Sequence, residues 1–257
     1  MAGLNNSSTS TVLLEKKRSL TPSTDEEVRV LGISEYEQAA KCLAEAFAVD
    51  EVARYFIDTD DMATYSEEYK YKMHLDILRY ITAAHCYKGI VTTIGPDYDA
   101  VALWMPPGQN MDDLWTILRS GMWRLWYKLS SEGKKRFYDE FLPLLHDTKH
   151  EVMGARDDDS YYLVYLGSKP SARGKGYARK LIEHMTVTAD LENRATYLES
   201  SAANNLSYYT KYGFEHIVDI ELKRGPDPIK LHIMVREPQG MAESSKGPKV
   251  AAKIRSV

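Results

Sequence analysis

The sequence predicts a mixed α/β domain of the α+β class, with a central, mostly antiparallel sheet that contains one parallel pair of strands. Two patterns support this prediction. Strand-like segments near both ends of the chain follow one another across short turns, and one strand in the second half is followed by a glycine-rich loop, a helix and a further strand. With 257 residues, of which 44% are hydrophobic, the chain is long enough to bury a substantial core.

The first half of the chain predicts a strand, two helices and a hairpin. Residues 26–33 alternate between apolar and polar side chains, as a strand does, and Ser34 with Glu37 has the pattern of a capping box that begins a helix. A second helix is expected over about residues 63–85. The segments KGIVTTIG and AVALWMPPG, joined by the turn PDYD, then predict two antiparallel strands.

A helical insertion at residues 109–159 separates the third strand from the fourth. Its segments are rich in aromatic residues and resemble helices, and a connection of this length needs a reason. The pattern suits a helical layer that packs on the sheet and equally suits a lid over a substrate cleft. Trp104, Trp115, Trp123 and Trp126 lie in or beside the insertion, where tryptophans are expected to fill a core or line a pocket.

The second half of the chain predicts a crossover between parallel strands. The run YYLVYLG (161–167) is apolar and unbroken, which is typical of a central strand buried on both faces. A helix follows over ARKLIEHMTVTADLENR, and ATYLESS (195–201) is the next strand, so these two strands are expected to be parallel neighbours. A short helix closed by Gly213 and a final pair of strands complete the domain.

The loop KPSARGKGYA lies where the central strand gives way to the helix, and it combines two glycines with several cations. Backbone N–H groups that glycine leaves uncovered at a helix N-terminus form an anion site, so the loop predicts a phosphate site. It is not a P-loop, because Tyr177 follows Gly176 where that motif has lysine. It is not a dinucleotide fingerprint, because Arg179 stands where the third glycine is needed.

The pattern that does fit is Arg-x-x-Gly-x-Ala, formed by Arg173, Gly176 and Ala178. This pattern resembles the signature Q/R-x-x-G-x-G/A, with which the GNAT superfamily of acyl-CoA-dependent N-acetyltransferases holds the pyrophosphate of coenzyme A. The resemblance implies the fold of that superfamily, in which the central sheet is mixed and the parallel pair of strands is splayed.

A second motif lies downstream and strengthens the resemblance. The segment YLESSAANNLSYYTKYGF holds a strand with an acidic end, Glu199, then Asn205, and then Tyr209 four residues before a Gly-Phe pair. One helix and one strand separate the two motifs, as in the superfamily. The similarity is sharpest over residues 160–236. The residues of the segments YLESS and YTKYGF most closely resemble those of the puromycin-acetyltransferase-like branch and its fungal relatives.

The resemblance implies that acetyl-CoA is the acyl donor. In such enzymes the central strand parts from its parallel neighbour, and its free backbone groups pair with the pantetheine arm. The residues expected to contact acetyl-CoA are Leu166, Gly167, Ser168, Arg173, Gly174, Lys175, Gly176, Tyr177, Ala178, Asn205 and Tyr209. Within this set, a backbone N–H group of Leu166 or Gly167 is expected to face the thioester oxygen.

Two residues are expected to carry the chemistry. Acetyl transfer to an amine needs a proton for the departing thiolate and a neutral amine. By resemblance Tyr209 is the general acid, since a phenol with a pKa of about 10 is protonated at neutral pH. Glu199 either removes the proton of the amine, directly or through water, or binds the cationic substrate, and a structural salt bridge is the remaining interpretation.

The distribution of charge indicates the kind of substrate. The formal net charge is -4, yet residues 1–24 carry +2 and residues 239–257 carry +3, so the middle of the chain carries about -9. An acidic middle argues against a nucleic-acid partner and favours a cationic one. The expected acceptor is a primary amine of a small molecule, such as a xenobiotic, an antibiotic or a polyamine. A protein lysine or N-terminus, and a non-catalytic acyl-CoA-binding module, are the alternatives.

No metal site is expected. His146 and His150 lie one helical turn apart, but no cysteine or carboxylate pattern identifies further ligands, so they are interpreted as solvated helix residues.

The sequence gives fewer signals about the cellular location and the oligomeric state of the protein. Cys42 and Cys86 are isolated thiols, and the sequence has no segment typical of a signal peptide or a membrane span. A cytoplasmic monomer or homodimer without a membrane partner is expected, with the nucleus as an alternative location. The domain is expected at residues 26–238, between flexible tails at 1–25 and 239–257.

Overall fold

The computed structural model describes residues 26–240. The predicted flexible tails therefore lie outside the described residues, except for the first two residues of the C-terminal one. Of these, Gln239 donates its backbone N–H to Asp190 Oδ1 at 2.7 Å, so the chain is still attached to the domain there.

Within the described part of the chain, seven strands form one sheet in the order β1-β2-β3-β4-β5-β7-β6. Neighbouring strands are antiparallel except β4 and β5, which are parallel, so the predicted sheet is confirmed. The strands are β1 (Arg29–Val30), β2 (Ile90–Ile94), β3 (Ala100–Met105), β4 (Tyr161–Ser168), β5 (Thr196–Ser200), β6 (Glu215–Leu222) and β7 (Ile229–Arg236).

The helices of residues 26–240 lie on both faces of this sheet. They are α1 (Tyr36–Ala46), α2 (Glu51–Tyr55), α3 (Glu67–Lys88), α4 (Leu114–Ser120), α5 (Leu125–Lys128), α6 (Ser131–Lys134), α7 (Leu142–Met153), α8 (Tyr177–Leu191) and α9 (Leu206–Thr210). A π-helical segment, Lys135–Phe141, joins α6 to α7. The helical insertion between the third and fourth strands is therefore present as expected. No helix in this part of the chain is both long and apolar enough to cross a membrane.

The start of α1 differs from the prediction. Ser34 lies in a 3-10 turn, α1 begins at Tyr36, and no side chain caps it, so the predicted capping box with Glu37 is wrong. Glu35 has a tertiary role instead: its Oε1 accepts hydrogen bonds from Arg29 Nη1 at 2.5 Å and from the Tyr98 hydroxyl at 2.8 Å. These contacts join the start of the helix to β1 and to the turn between β2 and β3.

The two larger of three apolar clusters among the described residues lie on opposite faces of the sheet. Leu43 of α1, Leu78 of α3 and Leu103 of β3 belong to the cluster on one face, and the insertion packs against it. Leu181 of α8 and Leu198 of β5 belong to the cluster on the other face. Both faces of the central strands are thus covered, as the unbroken apolar run of β4 predicts.

The tryptophans of the insertion do not behave as expected. Trp104 is fully buried in β3, whereas Trp115, Trp123 and Trp126 are 74%, 42% and 54% exposed. The expectation that these three fill a core or line a pocket is wrong. The reason is local: Trp115 of α4 and Trp126 of α5 lie on the outer side of short helices that bury the other side, with Leu125 of α5 fully enclosed. Trp123 lies in the 3-10 turn Met122–Arg124, which has no buried residue.

The parallel pair separates after three residues. Tyr161, Tyr162 and Leu163 of β4 pair with residues 196–198 of β5, and β4 then continues to Ser168 along β3 alone. The register of β3 and β4 shifts at Val164, which is a β-bulge and bends the strand. Residues 164–168 therefore have a side with no strand partner among the described residues, which confirms the splayed pair.

Candidate active site

A cavity of about 440 Å³ lies where β4 and β5 separate. Four of the residues singled out from the sequence line it: Leu166 of β4, Glu199 of β5, Asn205 just before α9, and Tyr209 of α9. These residues are up to 43 positions apart in the chain. The divergence of the two strands brings them together, because it places the ends of both strands and the start of α9 around one space.

The glycine-rich loop lies outside this cavity. Gly174 and Gly176 have φ angles of +80° and +77°, in the left-handed region that favours glycine. Gly176 is the residue immediately before α8, and a Cβ atom built on it meets nothing within 4 Å. The N-terminus of α8 therefore faces open space, which is the condition for a phosphate to approach its N–H groups.

Two cations of the loop, Arg173 and Lys175, are exposed and have weak partners, whereas Lys169 is paired with Asp97 at 2.8 Å. Arg173 Nη2 is 3.4 Å from the carbonyl oxygen of Ala46, at the end of α1. Lys175 Nζ is 3.8 Å from Asp99 Oδ2, so this carboxylate partly balances its charge. Surface pairs of this kind are worth little in water, and both cations can turn towards an anion at small cost.

The other residues expected to contact the cofactor lie at the end of β4 and the start of α8, where their backbone groups matter more than their side chains. Gly167 is buried under α1, and a Cβ atom there would lie 2.8 Å from that of Ala46, so only glycine lets the helix approach. Ser168 ends β4 opposite Ala100. Tyr177 packs on the apolar cluster beneath α8, and Ala178 is the second residue of that helix.

Glu199 has the most unusual environment in the cavity. Its Oε2 accepts a hydrogen bond from the Tyr162 hydroxyl at 2.6 Å, across the point where the strands separate. Its Oε1 is fully buried and has no hydrogen-bond partner among the described residues. Burial raises the pKa of this carboxyl to about 7, against the opposing effect of the nearby Tyr162 and Tyr197 hydroxyls and the Lys149 charge. Glu199 is thus poised to exchange a proton near neutral pH.

Tyr209 is buried beside the cavity and stays protonated. Its ring packs edge-on against Phe214 and Tyr208, with ring centres 5.7 and 5.9 Å apart. Burial raises the pKa of its hydroxyl to about 12, because the phenolate is costly away from water. At neutral pH the phenol is therefore a proton donor.

Sequence reasoning missed Lys149 and Tyr162, two further residues that line the cavity. Lys149 of α7 bonds to the carboxylate and carbonyl of Asp157, and its Nζ lies 6.0 Å from the ring centres of Tyr162 and Tyr197. Lys149 stands in no recognisable motif, whereas Tyr197 begins the YLESS segment but does not itself line the cavity. Lys149 comes from the insertion and Tyr197 from β5, so only the folded chain places them side by side.

The insertion forms one wall of the cavity. Met122, Phe137 and Phe141 line it together with Lys149, so the insertion packs on the sheet and encloses the cavity at the same time. The insertion therefore packs on the sheet, as one of the two interpretations expected, and its residues also line the cavity.

The cavity combines apolar walls with several carboxylates. Asp50, Asp112, Asp157, Asp158 and Glu199 line it. Asp50 accepts hydrogen bonds from the Ser201 hydroxyl at 2.6 Å and from the backbone of α2. Burial lowers the pKa of His74, another lining residue, so this imidazole is neutral at pH 7. Lys149 is the sole lysine or arginine that lines the cavity in residues 26–240.

Several known proteins resemble this chain. A family model described as an acetyltransferase (GNAT) domain matches residues 145–216. The uncharacterized N-acetyltransferase C550.08 of Schizosaccharomyces pombe is 45% identical over 219 residues, which cover 84% of this chain and 86% of that protein.

Solved structures share the fold. Arylalkylamine N-acetyltransferase 2 from Aedes aegypti has 18% identity and a TM-score of 0.52, over 83% of this chain and 99% of that one. A mosquito arylalkylamine N-acetyltransferase like 5b has 16% identity and a TM-score of 0.52, over 82% and 99% of the two chains. At these identities the likeness concerns the fold.

The hydrogen bond from Tyr162 yields a first prediction. Tyr162→Phe removes a bond that stabilises ionised Glu199, so the pKa of Glu199 should rise from about 7 to about 8. Carbon-13 NMR titration of protein labelled at the glutamate carboxyl carbons measures this. Tyr161→Phe is the matched control, because the Tyr161 hydroxyl bonds to Glu192, 3.0 Å away. An unchanged titration of Glu199 in Tyr162→Phe would contradict the prediction.

Proposed function

Since the chain belongs to the GNAT family and is an N-acetyltransferase, we propose that it acetylates a primary amine of a small molecule in a direct ternary complex with acetyl-CoA. One observation carries the proposal: the unpaired side of β4 leads from the open N-terminus of α8 into an acidic, aromatic cavity that contains Glu199 and Tyr209.

The residues around the splayed strands fit acetyl-CoA, which supplies the acetyl group as a thioester. The open space at Gly176 and the left-handed loop suit a pyrophosphate, with Arg173 and Lys175 close by. Backbone donors and acceptors that lack a partner are costly when buried, so the free side of residues 164–168 favours an amide-bearing ligand. Leu166 lines the cavity whereas Gly167 packs under α1, which favours Leu166 as the residue nearest the thioester.

The cavity favours a small cationic acceptor. A volume of about 440 Å³ is in the range that encloses a small ligand, and the carboxylates of its walls attract an ammonium group. Phe137, Phe141 and Met122 offer an apolar surface to the body of the ligand. A lysine on a folded protein would have to enter between the sheet and the insertion, so the enclosed site favours a free amine.

Glu199 and Tyr209 divide the two proton transfers. An amine with a pKa near 10 is almost wholly protonated at pH 7 and has no free electron pair for attack. Ionised Glu199 accepts its proton, directly or through water, and a pKa of about 7 keeps half of the carboxyl ionised at neutral pH. The Tyr209 hydroxyl gives a proton to the departing thiolate.

Binding of the donor tests the glycine-rich loop. Gly176→Asp should abolish micromolar binding of acetyl-CoA, because a side chain is strained at a φ of +77° and its charge repels the pyrophosphate. Isothermal titration calorimetry measures the affinity. Gly154→Asp is the control, since Gly154 also has a positive φ, +55°, and open space around it. Wild-type affinity in Gly176→Asp would place the donor elsewhere.

The proton donor is tested by removing one oxygen atom. Tyr209→Phe keeps the packing against Phe214 and should lower kcat by about 100-fold, with acetyl-CoA binding nearly intact. Steady-state kinetics with release of free thiol as the signal measures this. Tyr208→Phe, whose ring packs against Tyr212 outside the cavity, should retain wild-type kcat. If kcat of Tyr209→Phe were also unchanged, water would protonate the thiolate.

The base is tested by its pH dependence. In the wild type, kcat/KM should rise as pH increases through about 7, because only ionised Glu199 accepts a proton. Glu199→Gln should lose most activity at neutral pH and recover as pH approaches the pKa of the amine, where deprotonation needs no help. Glu192→Gln, a surface control, should keep the wild-type profile. A loss in KM alone, larger for charged amines than for anilines, would instead assign Glu199 to cation binding.

A further inference from the structure

A compact group of ligating side chains lies on the final hairpin, away from the cavity. It consists of His216 and Asp219 of β6 and His232 of β7, and we call it the hairpin cluster. None of its members lines the cavity, and none takes part in the proposed reaction. The three potential ligand atoms lie within 4.8 Å of one another.

Both imidazoles of the hairpin cluster converge on a single oxygen atom. His216 Nε2 and His232 Nδ1 each lie 2.7 Å from Asp219 Oδ1, and the ring centres are 5.9 Å apart. The side chains of His216, Asp219 and His232 are 42%, 36% and 10% exposed. The cluster is therefore anchored in the sheet on one side and open to solvent on the other.

A β-bulge creates this convergence. Residues three apart on a regular strand point to opposite faces, so His216 and Asp219 would be separated by the sheet. The register of β6 and β7 shifts between His216 and Val218, and this extra residue returns both side chains to one face. Asp219 is directly opposite His232 in the register, and His232 is two residues from the buried Met234 on the α8 face. Bulges of this kind commonly re-aim side chains at functional sites.

We propose that the hairpin cluster binds a divalent transition-metal ion, with Zn²⁺ as the preferred ion, through His216 Nε2, His232 Nδ1 and the Asp219 carboxylate. Two imidazoles and one carboxylate form a borderline donor set suited to zinc, and three protein ligands leave a fourth position for water. Each neutral imidazole keeps its proton on the other ring nitrogen, and the aspartate is ionised. Zinc bonds of about 2.0–2.1 Å require ligand atoms about 3.3 Å apart in a tetrahedron, so small side-chain rotations admit the ion.

The bound ion would stabilise the pairing of the edge strand β6 with β7. β6 is the last strand of the sheet, and residues 215–219 are exposed. An ion held by ligands of both β6 and β7 binds the folded hairpin and not the unfolded chain, so it adds to stability in proportion to its occupancy. The role is structural and independent of acetyl transfer.

Cobalt spectroscopy tests the site directly. Full-length protein without a polyhistidine tag, stripped of metal with a chelator, is titrated with Co²⁺, whose visible ligand-field absorption reports coordination. We expect one Co²⁺ ion per chain with an intense four-coordinate spectrum, and stoichiometric displacement by Zn²⁺. His216→Ala and His232→Ala should weaken Co²⁺ binding at least about 100-fold, because each removes a direct ligand. His146→Ala is the matched control, since His146 is an exposed helix residue that also faces a carboxylate, that of Asp147.

Thermal unfolding provides a second measurement that does not rely on the spectrum. Zn²⁺ should raise the Tm of the wild type and of His146→Ala, and should leave that of His216→Ala and Asp219→Asn unchanged. His216 and Asp219 are partly exposed, so both variants are expected to fold without metal. Absence of stoichiometric Co²⁺ binding would overturn the proposal. Equal Co²⁺ affinity in the wild type and His216→Ala would also overturn it. The cluster would then be only a set of hydrogen bonds that join His216 and His232 to Asp219.

Discussion

The separation of β4 from β5 is the constraint on which the rest of the site depends. Three residues of each strand are paired, which holds the two halves of the sheet together, and the bulge at Val164 then turns β4 away. The separation creates a cavity between packed elements without opening the core, because α1 and α8 continue to cover both faces of β4. It also leaves backbone polar groups without strand partners, a cost that a bound ligand with amides can offset.

The raised pKa of Glu199 follows from the same separation of the strands. Glu199 comes one residue after the final pair, so its carboxylate lies in the space between the strands, where water is largely excluded. The Tyr162 and Tyr197 hydroxyls and the Lys149 charge do not offset this burial, and the pKa of Glu199 rises to about 7. The proposed base and the cavity beside it thus both result from the separation of β4 and β5.

The insertion completes the site with residues that have no signature. Lys149 and the aromatic residues of the π-helical segment close the cavity, while Trp115, Trp123 and Trp126 on the outer side stay exposed. Helical periodicity alone could not assign these sides, because α4, α5 and α6 have only four to seven residues each. In helices so short, tertiary contacts and not an amphipathic pattern decide which side is buried.

The sequence by itself determined the order of strands and helices, the parallel pair and the location of the glycine-rich loop, since these depend on local periodicity and on the allowed conformations of glycine. It also singled out Glu199 and Tyr209 as candidate site residues, through motifs that lie close together in the chain, and both line the cavity. Only the tertiary structure decided the short length of β1, the missing cap of α1, the partners of Glu199 and the convergence of His216, Asp219 and His232. Each of these depends on contacts between residues far apart in the chain, or on a one-residue shift in strand register, and neither leaves a periodic trace in the sequence.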